Sequence, residues 1–132
     1  MAELSQLKLL INLARIDGDV AEKERHYIVN IGSANGINPA ETQQLFGKSH
    51  DVIVPDNLTD ADKFTYILSL VQLMKIDDRL YKDEIKYCST VAAKLGYKEE
   101  VMFDLMLNVK SAAMGSNEIE ALRKLTDQYL KK

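Results

Sequence analysis

Apolar residues in this chain recur every three or four positions nearly from end to end. Leu4, Leu7, Ile11 and Ala14 share one helical row, and Leu10, Leu13 and Asp17 share the adjoining one, which predicts a first helix over roughly residues 3–16. Tyr27, Ile28, Ile31 and Ala34 give a second over roughly 22–35, stopped by Asn35-Gly36. Asn38 caps a short third helix with Pro39 at its first position, ending near Phe46-Gly47. Residues 48–60, with Val52-Ile53-Val54-Pro55, are the irregular connector; Pro55 would confine any extended piece to an edge.

The pattern then resumes. Thr59 or Asp60 caps a long helix through Lys75, carrying Phe64, Ile67, Leu68, Val71 and Met74. A helix over roughly 82–95 carries Ile85, Cys88, Val91, Ala92 and Leu95 and stops at Gly96. A shorter one over roughly 98–109 follows, and Ser116 or Asn117 caps a last helix with Ile119, Leu122, Leu125, Tyr129 and Leu130. Strand-type alternation of useful length is missing. The expectation is one all-α domain over 1–132 with about seven helices.

Residues 10–40 match residues 70–100 without a gap. Identities fall at Leu10/Leu70, Leu13/Leu73, Ile16/Ile76, Asp17/Asp77, Glu24/Glu84, Tyr27/Tyr87 and Gly36/Gly96. Because they follow core spacing and both helix stops, they predict two helical hairpins related by a pseudo-twofold axis, with the remaining helices as accessories.

The chemistry-bearing part of each copy is its turn. Ile16-Asp17-Gly18-Asp19-Val20 and Ile76-Asp77-Asp78-Arg79-Leu80 each join two helices, and Glu24 or Glu84 follows in the next helix's first turn. Asp17 continues the Leu10/Leu13 row, and Glu24 begins the row of Tyr27, Ile28 and Ile31. Each hairpin thereby sets two carboxylates at the rim of its buried side, where ionised groups need partners. Two readings follow. In one, the carboxylates accept hydrogen bonds from free amides at the helix starts and serve only as caps. In the other, the oxygen-rich turns bind a hard divalent cation, Ca²⁺, Mg²⁺ or Mn²⁺, through Asp17, Glu24, Asp77 and Glu84. An EF-hand is excluded, because the twelfth position counted from Asp17 is Ile28 instead of a bidentate Glu.

Composition narrows the rest. With 17 basic and 20 acidic residues and a net charge of −3, nothing advertises nucleic-acid binding. The apolar run from Ile67 to Met74 is too short to cross a bilayer, and no secretory signal is visible. The single cysteine, Cys88, fits a reducing compartment and packing on an apolar face. His26 and His50 lack a cysteine partner nearby, which speaks against zinc. Phosphate-binding glycine loops, Gly-x-Ser-x-Gly and His-Glu-x-x-His are absent from the sequence.

The stretch Ala14-Arg15-Ile16-Asp17-Gly18-Asp19-Val20-Ala21-Glu22-Lys23-Glu24 resembles the motif of the TerB-like family. That family takes its name from a tellurite resistance protein and includes a domain of the DjlA co-chaperone. The resemblance covers nearly the whole chain and includes the second copy of the motif. It implies an all-helical, cytoplasmic, non-enzymatic binding module of tellurite and chemical stress responses, acting with a protein partner. Its acidic site would fall on Asp17, Glu24, Asp77 and Glu84, with a divalent cation or a partner as ligand. The chain departs from the motif at Asp78, which stands in Gly18's place, and at Ala21 and Tyr81, which lack the Ser or Thr of a full capping box. A purely structural adaptor, its acidic turns acting only as caps, is the alternative.

Overall fold

Seven α-helices are present among the residues that the computed structural model describes, which are 2–16, 20, 22–47, 50, 54, 58–76, 82–98, 100–109 and 115–130. They are α1 (Ala2–Ala14), α2 (Glu22–Ala34), α3 (Pro39–Leu45), α4 (Asp60–Met74), α5 (Lys82–Leu95), α6 (Val101–Asn108) and α7 (Ser116–Asp127). The protein is all-α. Among the described residues the only β-type pairing is an isolated antiparallel bridge between Tyr97 and Leu130.

The starts and stops follow local chemistry. The Asn38 side chain accepts from the Ala40 amide at 2.8 Å, with Pro39 in the first turn. Thr59 is the cap of α4: its hydroxyl accepts from Asp62 N, and the Asp62 carboxylate accepts from Thr59 N, a reciprocal capping box. Gly36 and Gly96 take φ of +83° and +97°, the left-handed geometry that ends α2 and α5. In both cases the next residue donates back into the helix, Ile37 N to Gly32 O and Tyr97 N to Ala92 O. Two expected details are corrected. Gly115, not Ser116 or Asn117, precedes the first turn of α7, and its amide donates to the Glu118 carboxylate. Tyr129 and Leu130 lie beyond that helix, where the Tyr129 carbonyl accepts from Lys98 N at 2.7 Å and Leu130 pairs with Tyr97.

Helices α1 and α2 pack as one hairpin and α4 and α5 as another, with α1 laid against α4 between them. The directions follow from side chains. Gly32 on α2 faces Leu7 on α1, so the hairpin is antiparallel. On α4, Tyr27 reaches Gln72 near the helix end, while Ala34 and Asn35 line a cavity with Thr65. So α2 is antiparallel to α4 as well, α1 and α4 are parallel, and both hairpins turn at the same end of the bundle.

The relation between the halves is a pseudo-twofold axis, and hydrogen bonds record it. The Tyr27 hydroxyl donates to Gln72 Oε1 at 2.6 Å, with Ser69 O beside it. The Tyr87 hydroxyl donates to Leu9 O at 2.9 Å, with the Asn12 side chain beside it. Leu9 and Asn12 lie sixty positions before Ser69 and Gln72, so each half's tyrosine bonds the other half's first helix at the same two places. Such reciprocity is the signature of an isologous contact. The third helices belong to the repeat too. Arg15 donates to Phe46 O at the end of α3, and Lys75 donates to Met106 O near the end of α6, again sixty apart at both ends. The repeat is therefore three helices per half, and α7 alone is the accessory.

The core is where these helices meet. Leu10, Leu13, Leu70, Leu73, Val91 and Leu95 are buried as expected, and α4 is enclosed on almost every side from Tyr66 to Met74. Each such side chain stabilises the fold by about 1.5–3 kcal/mol through apolar burial. Tyr27 and Ile31, expected in the core, are only half-buried. Tyr27 is drawn outward by its bonds to α4, and both residues line the surface cavity beside it.

Candidate functional site

Glu24 and Glu84 are the third residues of α2 and α5. There the first-turn amides lack intrahelical partners and the helix dipole presents its positive end, so a carboxylate is favoured. Their neighbours Glu22 and Asp83 serve the same field from solvent. Glu24 and Glu84 do not: they are 7% and 5% exposed. The cause is the phase expected from sequence, since each opens the row that continues through Tyr27 and Ile28 or through Tyr87 and Cys88. From residue 22 to residue 30 the degree of burial repeats position for position over 82 to 90. The two glutamates are thus equivalent in depth as well as in sequence, and both lie at the turn end of the bundle.

Burial pushes the Cys88 thiol far up, and the charge of Glu84 one turn before it pushes it further. Fully buried and protonated, Cys88 is packing and not a nucleophile. Tyr27 and Tyr87 are likewise held well above their ordinary value by burial and stay neutral donors.

Of the four candidate ligands, the structure brings Glu24 and Glu84 to equivalent buried positions. Asp17 and Asp77 lie outside the described residues, as do Gly18, Ala21, Asp78 and Tyr81. Among the described residues no three His, Cys, Asp or Glu side chains come together around a metal-sized space. The histidines are accounted for separately. His26 sits exposed beside Glu22 at 3.3 Å, and a ring nitrogen of His50 lies 2.9 Å from Leu45 O.

Polar features that sequence reading missed surround the central pair of helices. Gln6 donates to Ser69 Oγ at 3.1 Å across α1 and α4, inside the core. The Asn12 side chain grips His50 by its backbone twice: Nδ2 donates to His50 O at 2.6 Å, and His50 N donates to Oδ1 at 3.0 Å. The Tyr27/Tyr87 identity and the paired basic residues Arg15 and Lys75 were the available signals. Their meaning depends on which helices cross, which periodicity does not reveal.

Among the described residues no helix is long and apolar enough to cross a membrane. Comparison with known proteins returns no match to a family model, a curated protein or a solved structure.

Proposed function

We propose that this chain is a non-enzymatic binding module of TerB type, acting in the cytoplasm in a bacterial stress response with a protein partner. Its acidic turns hold a divalent cation, Ca²⁺, Mg²⁺ or Mn²⁺, through Glu24 and Asp17 and, in the second copy, Glu84 and Asp77. One observation carries this reading: in both copies the first-turn glutamate is buried at the same depth. A cap works equally well in water, whereas a carboxylate taken inside needs polar or charged partners around it. Glu24 and Glu84 have such partners within the chain, and a cation in the adjoining turn would join them. The second reading, a structural adaptor with the turns as caps, draws on the same residues' place in the first turn.

Cation-dependent stability separates the two. Chelator-treated protein is expected to gain on the order of 5 °C in melting temperature with a saturating divalent cation, because a ligand of the folded state stabilises by mass action. Glu24→Gln keeps an oxygen that can accept an amide hydrogen bond but removes charge from a hard-cation site, so the shift should shrink strongly. Asp17→Asn should do the same. Asp77→Asn should matter less, since only the first copy has the Asp17-Gly18 turn. No shift in the parent protein would leave the adaptor reading standing, and a shift surviving both first-copy variants would put the ion elsewhere.

A further inference from the structure

Seven asparagines are spread along the chain, and Asn35 is the one followed by glycine. The six others are followed by Leu, Ile, Val, Glu or Pro. That difference is chemical. An asparagine's side-chain carbonyl carbon can close a five-membered ring with the backbone nitrogen of the next residue, and a successor without Cβ leaves that nitrogen unhindered. The structure puts the pair where little shields it. Asn35 and Gly36 follow the last turn of α2, and both are exposed. Beyond the adjoining residues, no atom stands within 4 Å of where a Gly36 side chain would begin.

Two hydrogen bonds occupy the reacting groups. Asn35 Nδ2 donates to Ile31 O at 2.9 Å, and Gly36 N donates to Ser33 O at 3.1 Å. Both lie at an exposed helix end, which opens far more readily than the core does. Once they open, Gly36 N, as its deprotonated amide, attacks Asn35 Cγ. The N–Cγ bond forms, the Cγ–Nδ2 bond breaks, and Nδ2 leaves as ammonia with the proton that the amide gave up. Water then adds to one carbonyl of the cyclic imide and opens it, with no change of oxidation state. Opening at Cγ leaves aspartate; opening at the main-chain carbonyl leaves isoaspartate, whose backbone runs through the former side chain. Either product is a carboxylate, which has no donor for Ile31 O and stands at the negative end of the α2 dipole. Isoaspartate also lengthens the main chain by one carbon, which spoils the left-handed closure in which Ile37 N meets Gly32 O at 2.8 Å. The second half holds the control. Gly96 closes α5 with φ +97° and Tyr97 N on Ala92 O at 3.0 Å, but the residue before it is Leu95, which has no amide to react.

We propose that Asn35 is a site of spontaneous deamidation, and that its product loosens the end of α2 while the matching end of α5 stays closed. The change needs water and no enzyme, cation or ligand. The test ages the folded full chain at mildly alkaline pH and maps its peptides by mass spectrometry. Exchange of amide for acid is expected at Asn35 about tenfold or more faster than at each of the other six asparagines. Hydrogen exchange on the aged chain should then show protection of the Ile37 amide reduced about tenfold, with that of Tyr97 unchanged. Asn35→Gln keeps a side-chain amide but cannot close the five-membered ring, so this variant should age without the mass change and keep both amides protected. Faster reaction at any other asparagine overturns the proposal. Reaction at Asn35 in urea with none in the folded chain overturns it too. So does a deamidated chain whose Ile37 protection matches that of Asn35→Gln.

Discussion

Of the tyrosines with a raised pKa, three owe it first to burial, Tyr27, Tyr87 and Tyr97, and they differ in what their hydroxyls do. Tyr27 and Tyr87 donate across the pseudo-twofold axis. Tyr97 is fully buried, and its hydroxyl has no partner among the described residues. Burial first, then the carboxylates of Asp127 and Asp60, hold its phenol far above the ordinary 10.0. Tyr27→Phe and Tyr87→Phe should each cost about 1 kcal/mol in urea unfolding, the usual net worth of a hydrogen bond. Tyr97→Phe should cost nothing or stabilise, because it removes a buried polar group that gains nothing in return. All three phenols ionise more readily when unfolded than when folded. Stability is therefore unaffected by them below about pH 10 and declines as pH rises beyond it, where only the unfolded chain releases protons. The parent protein should show that alkaline decline in a pH series, and the triple Phe variant should show much less of it.

Helix ends and helix faces obey local rules, which is why so much of the architecture was legible in sequence. Gly36, Gly96, Asn38 and Thr59 end or begin helices for reasons internal to a few residues. Gly36→Ala meets nothing within 4 Å of the added carbon, so its cost of about 1 kcal/mol would be purely conformational. At Gly32 the geometry is ordinary but the space is not: an added carbon would lie 2.7 Å from Thr42 Oγ1 and 3.3 Å from Leu7. Gly32→Ala should cost about 1–3 kcal/mol, as overpacking does, and loosen α3 from α2; hydrogen exchange in α3 would show it. Where the reading fell short, the decisive contact was remote. Tyr27 left the predicted core because of Gln72, forty-five positions away, and Arg15 meets the end of α3 only after the hairpin closes. The acidic site was half legible. Periodicity put Glu24 and Glu84 on buried rows, but turn geometry and ligand chemistry do not follow from a row.

At the scale of the whole molecule the halves are not separable bodies. Residues from both line the α1–α4 contact, and Leu70, Leu73 and Leu10 are each at most 1% exposed. Leu73→Ala should cost roughly 2–5 kcal/mol. Circular dichroism and hydrogen exchange should report the loss as one transition, lowering protection in α1 as much as in α4. Two separate transitions would show that the halves fold alone. The crossed tyrosines have a consequence for how the fold is reached. Each half carries both the donor and the acceptor of the same pair of contacts, which is the requirement for self-association of two identical chains. Joining the halves by the connector replaces encounter between molecules with encounter within one, at an effective concentration on the order of millimolar. A bundle whose assembly would otherwise vary with dilution thereby becomes indifferent to how many copies the cell makes.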